Sequence, residues 1–103
     1  MDKFSALADP TRRHILEILA ARGQLSASDI YGKFHVSHPA ISQHLKVLRD
    51  TKLVQVEKHA QQRIYKINPR KMVELEVWIN RLKKRWSTSF ERLDELLEKR
   101  RKL

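Results

Sequence analysis

Apolar positions recur along this chain with two different periods. Ile15, Leu16, Ile18 and Leu19 fall at helical spacing, which predicts a helix from Pro10 to about Arg22. Asp9 is its N-cap, Pro10 its first residue and Gly23 its C-terminal stop. Before it, Phe4 and Leu7 share one side of a short helix within Met1–Ala8. Ser26 to Asp29 resembles a capping box and opens a second short helix that buries Ile30 and Phe34. His35, Val36 and Ser37 link it to a third, in which Ile41, Leu45 and Leu48 point inward. Ser37 is a good N-cap there, and Pro39 sits in the first turn, where a missing N–H costs nothing.

The period then changes. Val54 and Val56 alternate with Gln55 and Glu57, and Tyr65 and Ile67 share a face between Arg63 and Ile67. Both segments read as strands, with 59–62 as the hairpin loop. Asn68-Pro69 restarts a helix that runs without Gly or Pro to about Arg101, a length of roughly 50 Å. Met72, Leu75, Ile79, Leu82, Trp86, Phe90, Leu93 and Leu97 line it at nearly heptad spacing. Val73, Val77 and Trp78 make a second apolar edge, suited to covering the chain's own domain. The far half of so long a helix exposes Trp86, Phe90 and Leu93 unless a partner covers them, and the economical partner is a second copy.

The fold class expected is mainly α with a small β-hairpin. It is one winged helix-turn-helix domain over 1–103, with the helix-turn-helix at 26–50, the wing at 53–67 and a dimerisation helix at 69–101. The polar side of the third helix carries His38, Ser42, Gln43, Lys46 and Arg49, side chains that hydrogen-bond base edges or neutralise phosphates.

Charge strengthens that reading. The formal net charge of the 103 residues is +10, divided as +5 in 1–68 and +5 in 69–103, which favours an anionic partner. Cysteine is absent, so disulfides and thiolate metal sites are impossible. No secretory signal pattern or membrane-length apolar run appears, which makes a cytoplasmic protein the expectation, with no membrane partner.

The order of these motifs resembles the ArsR/SmtB-type winged-helix repressors. The resemblance runs over about residues 4–69. It is carried by Leu7-Ala8-Asp9-Pro10-Thr11-Arg12-Arg13, Ile15-Leu16, Leu25-Ser26, Val36-Ser37 and Pro39-Ala40-Ile41-Ser42. His44-Leu45-Lys46-Val47-Leu48-Arg49, Leu53-Val54 and Arg63 with Tyr65 complete it. The long Trp-containing C-terminal helix is similar to a branch described as metal-independent. The resemblance implies a homodimer held by the first and last helices, binding a palindromic operator in double-stranded DNA and repressing transcription. It places Ser37, His38, Ser42, Gln43 and Lys46 on the DNA-reading helix and Arg63 at the base of the wing. Phe4, Leu7, Leu75, Ile79, Leu82, Trp86, Phe90 and Leu93 are then the candidate dimer interface. The chain departs from the family at His35, where a glycine is usual and a left-handed residue is needed. It departs also at Tyr31, where a small residue is usual, and at Ala60-Gln61, where the wing tip commonly reads Gly-Arg.

Other chemistry finds little support. The five histidines form no HxxxH pair, and the last helix has none, so no metal or other cofactor is expected. Glu91, Asp94, Glu95 and Glu98 read as a solvated acidic face paired with Lys99 and Lys102. Arg81, Lys83, Lys84 and Arg85 read as a solvated basic face. His44 leans toward the core edge of its helix, which leaves packing and DNA contact both open. Ser42 and His44 have no carboxylate placed to orient the histidine, and no Gly-rich phosphate loop exists, so no catalytic residue is assigned. The alternatives to a sequence-specific regulator are a protein-interaction module and a nonspecific architectural DNA binder. An effector, if one exists, would be a small molecule or a protein.

Overall fold

The computed structural model describes residues 1–102, Lys102 by its backbone alone. In chain order it contains α1 (Lys3–Ala6), α2 (Pro10–Arg22), β1 (Leu25–Ser26), α3 (Ala27–Tyr31), α4 (His38–Asp50), β2 (Val54–His59), β3 (Gln62–Ile67) and α5 (Pro69–Lys102). Two compact units divide the chain, the first spanning Met1–Met72 and the second beginning at Val73.

Side-chain caps start the helices of the first unit. Asp9 Oδ1 accepts from the Arg12 N–H at 3.0 Å, Ser26 Oγ from the Asp29 N–H at 3.1 Å, and Ser37 Oγ from the Ala40 N–H at 3.3 Å. Each satisfies one of the orphan donors of a first turn. The far end of α4 closes as a Schellman motif: Leu53 N–H donates to the Leu48 carbonyl and Lys52 N–H to the Arg49 carbonyl, both at 3.0 Å. That closure holds Lys52 at φ 62°. Leu48 and Leu53, the apolar pair such a motif brings together, are both fully buried. Asn68 then ties the start of α5 to this corner. Its N–H donates to Leu53 O, its Nδ2 donates to Lys52 O, and its Oδ1 accepts from the Arg70 N–H.

The core of the first unit gathers one stripe from each helix: Ile15, Leu16 and Leu19 from α2, Ile30 from α3, and Ile41, Leu45 and Leu48 from α4. Leu53, Val54 and Tyr65 complete it. Ile18 and Phe34, both expected inside, are only half-buried. In α1 the buried residue is Ala6, whereas Phe4 is exposed and Leu7 half-buried.

The sheet has one strand more than the hairpin expected. Its order is β1-β3-β2, antiparallel throughout, with Leu25 opposite Tyr65 and Ser26 opposite Ile64. Two residues are too few to show alternation, so β1 left no periodic signal. Ser26 does two jobs: its backbone pairs with β3 while its buried side chain caps α3. The wing itself is tighter than the four-residue loop expected. Only Ala60 and Gln61 separate the strands, and Ala60 takes the left-handed conformation at φ 57°. His35, by contrast, is not left-handed. The chain leaves α3 by short turns, Gly32 N–H to Ser28 O and Lys33 N–H to Ile30 O, so no positive φ is required at 35.

In the second unit α5 continues as one helix, and its apolar seam is exposed. Trp86 is 63% accessible, Leu93 51% and Phe90 48%. Ile79, Leu82, Leu96 and Leu97 are exposed as well, and among the described residues of this unit only Leu75 is buried. The second edge expected to be covered, Val73, Val77 and Trp78, is exposed too. Trp86 and Phe90 meet edge to face at 4.8 Å. The Lys102 side chain, half of one expected ion pairing, lies outside the described residues.

Candidate nucleic-acid interface

The amphipathic pattern of α4 sorts its side chains cleanly. Ile41, Leu45 and Leu48 are buried, while His38, Ser42, Gln43, Lys46 and Arg49 are all exposed. Ser42, Lys46 and Arg49 follow one another at intervals of four and three, which places them along one face of the helix. Gln43 widens that face. Together they offer hydroxyl, amide, ammonium and guanidinium groups along about 10 Å of helix. Ser37 is also exposed, but its oxygen is engaged as the N-cap, which leaves its O–H as the group it can offer a ligand. Arg49 Nε lies 3.7 Å from Asp50 Oδ1, an exposed pair that tempers its charge.

Two rings meet where α4 begins. Tyr31, the last residue of α3, stacks on His38, the first of α4, with centroids 4.4 Å apart and planes 12° from parallel. Phe34, in the connecting turn, meets His14 of α2 edge to face at 5.2 Å.

His44 faces the other way from the exposed set. Its side chain is 21% accessible, and its Nδ1 lies 3.2 Å from Arg12 Nη1 and 3.9 Å from Asp9 Oδ1. A guanidinium can only donate, so Nδ1 is the acceptor of this bond. The same guanidinium donates through Nε to Ala6 O at 2.7 Å and through Nη2 to Ser5 O at 3.3 Å. Arg13 Nη1 donates to Leu7 O at 2.7 Å. The carbonyls at the end of α1 are thus capped from α2, and Arg12 joins α1, α2 and α4. The Arg12 N–H and the Arg12 charge together hold the Asp9 carboxyl below its ordinary pKa. Of the two readings of His44, packing is the one this geometry carries.

On the wing, cross-strand register sets two faces with different charge. Gln55 pairs with Lys66, and Glu57 with Ile64, on one face. There Glu57 lies 3.1 Å from His59 Nε2 and 3.4 Å from Lys66 Nζ, and those contacts hold its carboxyl below the usual range. On the other face Lys58 stands directly opposite Arg63. Like charges facing across a ladder repel, and an anion between them would relieve that repulsion. Arg63 therefore sits one pair below the wing tip, not at the base. Lys58 is a candidate that sequence reasoning missed, because only the register shows that it shares a face with Arg63.

Among the described residues, no three His, Asp or Glu side chains gather closely enough to hold a metal ion. No helix among them is long and apolar enough to cross a membrane.

A capped helix pair with a polar outer face, followed by a hairpin that a short strand before the pair extends to three strands, defines a winged helix-turn-helix protein. The family model described as bacterial regulatory protein, arsR family, matches residues 9–56, from the N-cap of α2 into β2. An HTH-type transcriptional regulator of Mycobacterium tuberculosis is 38% identical over 90 residues, covering 87% of this chain and 83% of that protein. The transcriptional repressor SdpR of Bacillus subtilis is 38% identical over 65 residues, covering 63% of this chain and 71% of its own length. Among solved structures, an ArsR-like transcriptional regulator from Rhodococcus superposes with a TM-score of 0.76 at 28% identity, over 90% of this chain and 87% of that one. The chain belongs to the ArsR family of bacterial regulatory proteins.

Proposed function

We propose that this protein is a homodimeric transcriptional repressor that reads a palindromic operator with α4, acts in the cytoplasm and needs no metal cofactor. The observation that carries the reading is the exposed face of α4. Gln43 and Ser42 are suited to base edges and Lys46 to phosphate, on a helix whose ends are fixed by a side-chain cap and a Schellman closure. His38, Arg49 and the Ser37 hydroxyl extend the same surface, and Arg63 with Lys58 supplies a cationic wing edge. Two copies would place two α4 helices in successive major grooves, about one helical turn apart.

The second copy is supported by the apolar seam of α5. Ile79, Leu82, Trp86, Phe90 and Leu93 are exposed at nearly heptad spacing, an arrangement a pairing helix would cover. Phe4 of α1 and its C-cap residue Leu7 add apolar surface to that proposal. Leu75, already buried, has little surface left to contribute. The lack of any thiol favours repression without a thiolate-bound metal. An effector would then be a small molecule or a protein.

The test is operator binding by alanine variants. Ser42→Ala and Gln43→Ala are expected to relax sequence preference, and Lys46→Ala to weaken binding to every duplex. Unaltered affinity and preference in all three would overturn the assignment of α4. A protein sedimenting as a stable monomer at micromolar concentration would overturn the homodimer and favour a docking module. Equal affinity for selected and random duplexes would favour an architectural binder.

A further inference from the structure

We propose that Tyr31 is a positioning residue for base recognition: its ring holds the His38 imidazole in the orientation that α4 presents to the groove. This rests on α4 being the DNA-reading helix and adds to it a determinant that lies outside that helix.

The argument starts from where His38 sits. It is the first residue of α4, and the first residues of a groove-entering helix are the ones aimed at base edges. Its backbone is held by the Ser37 cap on one side and Pro39 on the other. Its side chain is exposed, so its remaining freedom is rotation about χ1 and χ2. The Tyr31 ring lies 4.4 Å away and nearly parallel, which covers one face of the imidazole and leaves its edge clear of that ring. The ring edge is where both nitrogens are, one a donor and the other an acceptor in the neutral form.

Tyr31 is itself anchored. Its neighbour Ile30 is buried in the core, and the turn beyond it is pinned by the Phe34–His14 contact onto α2. Tyr31 is half-buried. A platform on α3 therefore orients a reader on α4. Ordering one side chain before binding is worth about twofold to tenfold in affinity, realised only where the oriented ring finds its matching base.

The experiment selects duplexes from a randomised pool with the full-length protein and compares base preference, position by position, for wild type and variants. His38→Ala is expected to flatten preference at one symmetry-related pair of positions. Tyr31→Leu is expected to flatten the same pair, by about twofold to tenfold in selectivity, and to leave the others intact. Tyr31→Phe, which keeps the stack, should retain wild-type preference. Thermal melting checks that each variant is folded, and Tyr31→Phe keeps the test informative if Tyr31→Leu is not. The proposal is overturned if Tyr31→Leu preserves a preference that His38→Ala removes. It is equally overturned if Tyr31→Leu weakens all sequences alike, or if His38→Ala changes no position. The α4 reading fails separately, and takes this proposal with it, if the wild type enriches no sequence or Gln43→Ala leaves every position unchanged.

Discussion

Replacing Arg12 by methionine should loosen the first unit at the point where three helices meet. The guanidinium makes two half-buried hydrogen bonds, Nε to Ala6 O at 2.7 Å and Nη1 to His44 Nδ1 at 3.2 Å, and two exposed ones, to Ser5 O and to Met1 Sδ. A hydrogen bond from a charged donor contributes about 1.5–3 kcal/mol, and partial exposure puts these at the low end. Methionine keeps most of the aliphatic volume, so the loss is polar and not a cavity. We expect a destabilisation of about 2–3 kcal/mol for the pair. In a domain of this size each kcal/mol lowers Tm by about 4–8 °C, so a fall of roughly 10 °C or more is expected. Arg12→Lys should recover little, because one ammonium cannot reach three acceptors spread over α1 and α4. The assay is thermal and urea unfolding, with amide exchange reporting on α1, whose terminal carbonyls lose their cap. A double-mutant cycle with His44→Ala should show coupling, since the two side chains are bonded. The reasoning is refuted if Arg12→Met shifts Tm by less than about 2 °C or Arg12→Lys matches the wild type.

Lys52→Gly should stabilise the fold by about 0.5–1 kcal/mol, because the Schellman closure imposes a left-handed residue there and glycine adopts it without strain; Lys52→Ile should destabilise, both read by urea midpoints. The Asp9 carboxyl is held below its ordinary pKa in the folded protein, so its contribution is fully present above the unfolded value near 4 and is lost as pH falls through the folded one. Asp9→Asn should therefore lower stability at neutral pH and flatten the acid limb of a stability–pH curve below about pH 4. Lys58→Ala and Arg63→Ala should each weaken binding to all duplexes and reduce the slope of log affinity against log salt by about 0.9 per lost phosphate contact. An unchanged slope in both would remove the wing from the interface. Leu82→Glu with Leu93→Glu should convert a dimer to monomer in sedimentation, without lowering the melting temperature of the monomer itself.

The helices of this protein are written locally. Asp9-Pro10, Ser26 and Ser37 with Pro39 start them, and Ile41, Leu45 and Leu48 set the inward face of α4. These signals depend on residues within four positions of one another, so the chain alone determines them. For the same reason the exposed set on α4 follows directly from its buried stripe. Strand alternation in 54–57 and at Tyr65 and Ile67 carried the wing.

What only the tertiary structure decided depends on residues far apart in the chain. The strand β1 exists because Leu25 and Ser26 find Tyr65 and Ile64, a pairing that no two-residue pattern announces. His44 turns inward because Arg12, 32 positions earlier, offers it a donor. Lys58 and Arg63 share a wing face because the two-residue turn sets their register. The Tyr31–His38 stack forms because short turns after α3, and not a left-handed His35, set the approach of two helices. Periodicity reports which side of an element is buried; it says nothing of what is waiting on that side, and in this protein that is where the positions of His38, His44 and Arg63 are settled.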